Sequence, residues 1–353
     1  MKITDIIVSR RQLALTRPYT IAYKTVSSVD MCWVEVHTDQ GIIGKGSANP
    51  SKQVVGESMD DTMEALSGEL LDRLKGHDIR TCPAICESLH TWLPAQPGAK
   101  AALDIALHDA WGQVLGLPLV SIWGQQHAAL PTSITIGIKD VAETLEEADE
   151  YIGRGFKILK VKLGQSLQED LERLAKLRET FGESIGIRVD ANQGYTPEQV
   201  SVFFKETEEW AIELVEQPIP ADEVAEMRKF PRETRNLIAA DESLVTADDA
   251  WQLAQMPKAC GIFNIKLMKC GGIHQARRIA EVARLSDTEL MWGCNDESVV
   301  SIAAALHTAL SYSHTRYLDL DGSLDLASDL AKGGFVLKDG MMSLAGRPGL
   351  GVY

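Results

Sequence analysis

With 353 residues the chain exceeds what one small core organises, which implies two domains or one large barrel carrying an appendage. Its composition, 45% hydrophobic and 24% charged with a mean hydropathy of -0.08, excludes fibrous, disordered and membrane classes. A formal charge of -15 without any basic cluster argues against nucleic acid and anionic membrane surfaces as partners, and favours small molecules or cations.

In chain order, Lys2 to Arg10 alternates polar and apolar residues and Met31 to Thr38 is β-rich, with a turn at Asp39-Gln40-Gly41, so an antiparallel meander is predicted. Helical periodicity takes over from Gly56 to about Leu115. Its clearest stretch runs from Ala99 to Leu115, with Ala102, Leu103, Ala106, Leu107 and Ala110 on one face and Gly116 and Pro118 ending it. The first 125 residues thus read as a separate α+β unit. The N-terminus has no apolar run of signal-peptide length and no stretch is long enough to span a bilayer, so the cytoplasm is the expected location. The six cysteines form no CxxC pair and have no histidine at zinc-finger spacing, and read as small buried hydrophobes in a reducing compartment.

After Leu130 eight strand-like runs alternate with amphipathic helices: SITIGI, KILKVKL, IGIRVDA, IELVEQP, LIAADES, GIFNIKL, ELMWGCN and TRYLDLD. Polar residues near their C-terminal ends, Lys162, Asp190, Glu216, Asp241 and Lys266, are separated by 28, 26, 25 and 25 residues. That period fits one βα unit, and eight such strands closing on themselves make a TIM-type α/β barrel. An open doubly wound sheet would carry a glycine-rich phosphate loop after its first strand, and none is found.

Barrels of this kind work at the C-terminal ends of their strands. There Asp190, Glu216 and Asp241 bring three carboxylates onto one rim, where a hard cation such as Mg²⁺ would neutralise them. Lys160 and Lys162, two apart on a strand, share one face, and Lys266 ends a strand beyond the acids. A free lysine of pKa about 10.4 is neutral in roughly one molecule in 2,500 at pH 7. Depression by Lys160 and by the cation is therefore expected to make Lys162 a base. A substrate carboxylate on the cation has its α-proton acidified. With Lys162 and Lys266 on opposite sides, one amine removing the proton and the other returning one amounts to racemisation or epimerisation.

These residues resemble the enolase superfamily in its muconate cycloisomerase branch, and within it the dipeptide epimerases. The matching motifs are K-x-K at Lys160-Val161-Lys162, D-A-N from Asp190, E-Q-P from Glu216, A-D-E-S around Asp241 and N-I-K-L-M-K-x-G-G from Asn264 to Gly272. Use of lysine or histidine bases with Mg²⁺ is a general property of that superfamily. The resemblance implies a capping domain over residues 1–125, a modified (β/α)₇β barrel over 126–322, and a segment over 323–353 that returns to the cap. It also implies one Mg²⁺ ion on the three acids, Lys162 and Lys266 as the acid/base pair with Lys160 as electrostatic partner, and a homo-oligomer. The D-x-D run Asp319-Leu320-Asp321 separates dipeptide epimerases from cycloisomerases and succinylbenzoate synthases, and is suited to the α-ammonium of an N-terminal residue. Lys24 falls where members that bind an acidic C-terminal side chain carry a cation. Asp296, beside the pocket for the N-terminal residue, favours a cationic side chain. With the strongly negative chain, the expected substrates are dipeptides containing Lys or Arg. An L-Ala-D/L-Glu epimerase, a cycloisomerase or o-succinylbenzoate synthase of the same branch, and a non-catalytic binding barrel are the alternatives.

Overall fold

The computed structural model describes residues 1–21, 24–50 and 52–353, and the side chains of 18–26 and 54 also lie outside the described set. Three antiparallel strands open the chain: β1 (Ile3–Ile21), β2 (Lys24–Thr38) and β3 (Ile43–Ala48). The expected meander is present, but β1 runs well past Arg10. Its outer part is exposed at Arg10, Arg11 and Gln12, and is held instead by Leu13 and Leu15 packing with Val29, Met31 and Leu326.

The helix Pro97–Leu115 matches the predicted stretch and ends at Gly116, whose φ of 68° is the left-handed conformation that glycine adopts without penalty. One expectation is corrected. The helix is buried on all sides rather than along a single face, because it is clasped between two units. On one side Gly44 and Gly46 let β3 lie directly against it: a Cβ at Gly46 would stand 2.0 Å from the Ala102 carbonyl oxygen. On the other, Asp104 accepts hydrogen bonds from the Ile273 and His274 backbone N–H groups at 2.6 and 3.3 Å, capping the helix Ile273–Leu285.

A short strand, β4 (Ala129–Pro131), precedes the barrel. The eight barrel strands follow in sequence order, all parallel: β5 (Ile134–Ile136), β6 (Ile158–Lys162), β7 (Gly186–Asp190), β8 (Ile212–Glu216), β9 (Ile238–Ala240), β10 (Ile262–Ile265), β11 (Glu289–Gly293) and β12 (Thr315–Asp319). Each is one of the eight predicted runs. A parallel bridge from Thr132 to Leu318 and the bond from Ser133 N to Leu318 O at 3.0 Å join the two ends of the sheet. The seven connections between these strands all carry helix, giving a (β/α)₇β barrel under an antiparallel cap. Leu214, Ala239, Ile262 and Met291 pack together in one small buried cluster. Arg188, almost fully buried, donates to Glu213 and the Leu318 carbonyl while stacking 5.0 Å above the Tyr317 ring. Among the described residues, no helix is long and apolar enough to cross a membrane.

Beyond the barrel, β13 (Phe335–Lys338) and β14 (Met341–Leu344) pair with each other, and β14 with β4. The chain then reaches the helix Pro97–Leu115, where Leu350 N donates to Asp109 at 2.8 Å. His307 sits between these parts: Val120 N donates to its Nδ1 at 3.1 Å, so Nε2 carries the proton and donates to the Leu350 carbonyl. Burial pushes this imidazole down to about 4. The neutral form is the one that fits, so the native state resists protonation while the unfolded chain takes a proton below about 6.5. Stability from His307 is therefore complete above that pH and falls, by about 3 kcal/mol in all, as the pH drops to about 4. Thermal melts of wild type and His307→Gln should converge over this window; parallel curves would refute the assignment.

Candidate active site

The C-terminal ends of β6 to β10 and β12 supply the charged rim. Period-two alternation puts Lys160 and Lys162 on one side of β6, and register pairs Lys162 with Asp190 and Asp190 with Glu216 on neighbouring strands. Asp190, Glu216 and Asp241 are buried, and lysines stand between them. Lys160 Nζ lies 2.7 Å from Glu216, 2.7 Å from Asp319 and 3.3 Å from Asp190. Lys162 Nζ is 2.6 Å from Asp190 and 3.1 Å from Asn192 Oδ1, and its side chain keeps 29% exposure. Lys266 Nζ is 2.7 Å from Asp241 and 3.7 Å from Glu216. Lys269 contacts both the carboxylate and the carbonyl of Asp241. Lys162 and Lys266 thus stand at the two ends of the acid row, with Glu216 between.

Burial raises every one of these carboxyls, and the local charges then sort them. Lys162 and Lys160 bring Asp190 down to about 2 despite its burial. Asp241 drops well below the carboxylate range through Lys266 and Lys269. At Glu216 burial and the neighbouring Asp190 charge prevail, and its carboxyl rises to about 8. At Lys266 burial pushes the ammonium down, but Asp241 and Glu216 outweigh that and raise it. Lys160 is likewise raised well above its usual range by Asp319, Glu216 and Asp190. Its charge is shared among three carboxylates.

The donor set suits a hard cation. Among the described residues, Glu216 Oε2 is buried without an aligned hydrogen bond although Lys160 lies near it, and Glu242 Oε2 is buried with no hydrogen-bond partner. Here the three acids converge on the ammonium groups rather than on one another. Among the described residues, the only trio of ligating atoms within 4.8 Å is that of Cys82, Cys86 and His108. Hydrogen bonding accounts for that trio. Burial raises both thiols; it lowers the His108 imidazole, but the Asp104 carboxylate outweighs it and raises that group, whose Nδ1 lies 2.9 Å from the Asp104 carbonyl.

The D-x-D pair divides. Asp319 gives its oxygens to Lys160 and, at 2.7 Å, to the Ser133 hydroxyl, so it is already engaged by the chain itself. Asp321 accepts Thr135 N at 2.7 Å through one oxygen, while among the described residues its other oxygen has the Cys294 thiol, at 3.9 Å. Burial, with Asp319 and Asp325 adding their charge, pushes Asp321 up to about 7. Asp296 is half-buried, its carbonyl accepting from Asn49 Nδ2 at 2.8 Å, and its charge helps burial to push Asp325 up to about 6. Lys24 opens β2, and its side chain lies outside the described residues.

Four residues of the rim were not anticipated. Asn264, which donates to Glu216 at 2.9 Å, was legible as the residue two before Lys266 on the same strand face. Asn192 and Lys269 lie inside the D-A-N and N-I-K-L-M-K runs. Ser133 has no local signal, since only closure of the barrel brings it to Asp319.

Fold and rim together define a class: an α/β-barrel enzyme with lysines flanking a carboxylate cluster. The chain belongs to the enolase superfamily, with residues 3–124 matching the mandelate racemase / muconate lactonizing enzyme N-terminal domain and residues 143–353 the enolase C-terminal domain-like family. It is similar over its whole length to the L-Lys-D/L-Arg epimerases of Desulforapulum autotrophicum (52% identity) and Methylococcus capsulatus (51%), covering 99% of each. The L-Ala-D/L-Glu epimerase of Bacillus subtilis is 34% identical, with 97% of it covered. A crystal structure of the Methylococcus capsulatus dipeptide epimerase complexed with Mg and L-Arg-D-Lys superposes with a TM-score of 0.98, at 51% identity and covering 100% of this chain and 99% of that one.

Proposed function

We propose that this chain is a Mg²⁺-dependent dipeptide epimerase, an isomerase acting by 1,1-proton transfer at the carbon α to the terminal carboxylate, with a preference for dipeptides carrying Lys or Arg. The observation that carries this reading is the placement of Lys162 and Lys266 at opposite ends of the acid row. Asp190, Glu216 and Asp241 would hold the ion, which supplies the positive charge that acidifies the α-carbon. Lys162 takes the proton on one face and Lys266 delivers one on the other, or the reverse, and the configuration inverts. Lys160 pairs with Glu216 and Asp319 and offsets their charge. The Asp321 oxygen that faces the Cys294 thiol accepts from the α-ammonium of the N-terminal residue. Asp296 and Asp325 supply the negative surroundings that select a cationic side chain, and the matches to Lys and Arg epimerases support that choice. In this reading residues 1–125 cap the barrel of 126–322, and 323–353 fasten one to the other.

The test is incubation of Lys- and Arg-containing dipeptides with protein and Mg²⁺ in D₂O. One α-carbon is expected to gain deuterium as its configuration scrambles. The absence of both across a broad dipeptide library would overturn the reading.

A further inference from the structure

The elements that hold the two amines are not alike. Behind Lys162 lies a buried ion pair inside the first two turns of the helix Leu167–Phe181, Asp170 with Arg173, both nearly inaccessible to solvent. Asp170 Oδ2 accepts the Gly164 N–H at 2.9 Å and the Tyr195 hydroxyl at 2.6 Å, while its Oδ1 receives Arg173. Arg173 also donates to the Lys162 carbonyl at 3.3 Å. One carboxylate therefore ties together the loop that leaves β6 directly after Lys162 and the loop that leaves β7 after Asp190. The second loop presents Asn192, whose Oδ1 receives Lys162 Nζ.

The two loops also touch backbone to backbone. A Cβ at Gly164 would lie 2.2 Å from the Ala191 carbonyl oxygen, and one at Gly194 would lie 2.2 Å from that of Gly164. Asn192 and Gln193, neither of them glycine, are held at φ of 44° and 67°. Burying a charge pair here is costly to solvation, and Leu174 and Leu177 already anchor the helix in the core. The hydrogen bonds of the pair run to the surroundings of Lys162. Lys266 is held separately, its carbonyl accepting from Lys269 N and Cys270 N at 3.0 and 3.2 Å.

We infer that Asp170, Arg173 and Tyr195 form a positioning clamp for Lys162, serving proton transfer on one face of the substrate and leaving the other face to Lys266. The inference rests on the assignment of Lys162 and Lys266 as the two bases.

The experiment follows α-deuterium incorporation in D₂O from each epimer of a Lys-Arg dipeptide separately, for wild type, Tyr195→Phe and Asp170→Asn. An epimer whose α-hydrogen faces Lys266 can still exchange there when Lys162 is misplaced. The expected result is an about 10- to 100-fold slower exchange of one epimer, with the other within about threefold of wild type. Equal losses for both epimers in folded Tyr195→Phe protein, or no loss for either, would overturn the clamp. Tyr195→Phe removes a single hydroxyl and decides the matter even where Asp170→Asn fails to fold. Wild type that exchanges neither epimer would instead overturn the assignment of the two bases, and the clamp with it.

Discussion

Lys266→Ala is expected to abolish epimerisation, by about 10²- to 10⁴-fold, while leaving deuterium exchange into one epimer of the dipeptide. The asymmetry follows from the geometry. Lys162 stays with Asp190 and Asn192 when Lys266 is gone, so a proton facing β6 is still removed and replaced from solvent, with configuration retained. Lys162→Ala should show the mirror image, with exchange surviving in the other epimer. The fold should survive Lys266→Ala, because Asp241 keeps Lys269 and Glu216 keeps Lys160 and Asn264. Measured epimer by epimer, loss of exchange from both in either variant would contradict two independent bases. Unchanged epimerisation in both variants would remove Lys162 and Lys266 from the chemistry.

The second large effect concerns Glu216. Its carboxyl is pushed up by burial and by Asp190, a repulsion that a bound cation would turn into attraction. Glu216→Gln is isosteric and removes the charge. We expect turnover to fall by about 1,000-fold or more, since a cation contributes several kcal/mol of transition-state stabilisation. The metal-free variant should melt close to the metal-free wild type, because the substitution relieves the Asp190 repulsion while giving up the Lys160 pair. The two should part when Mg²⁺ is added. Wild type gains about 2.7 kcal/mol at a concentration 100 times the Kd, and the variant gains little. Chelation should abolish wild-type turnover and Mg²⁺ should restore it. An undiminished Mg²⁺ shift in Glu216→Gln would remove Glu216 from the ion site.

Much of this machinery is written in short-range patterns. Strand alternation is a local property, so Lys160 and Lys162 could be placed on one face of one strand, and Asp190, Glu216 and Asp241 at the ends of their own strands, before any tertiary information. The repeat of 25 to 28 residues then arranged those ends around a single rim. The helix Pro97–Leu115 shows where such reasoning stops. Its alanines and leucines mark a helix with an apolar face, yet nothing local tells that a glycine-bearing strand covers one side and the barrel the other.

Partner choice had to wait for the fold. Lys160 was expected to act on its sequence neighbour Lys162. Barrel closure also sets β12 near β6 through β5, so Lys160 meets Asp319, 159 residues away, as well as Glu216 and Asp190. Ser133 reaches the same carboxylate for the same reason, while Asp170 serves Lys162 from the following helix. Which residues carry charge at the rim, and on which strands, follows from period and spacing along the chain. The tertiary structure alone decided which charges meet. Coulomb energy and hydrogen bonding act over a few ångströms in space, and chain order does not record those distances.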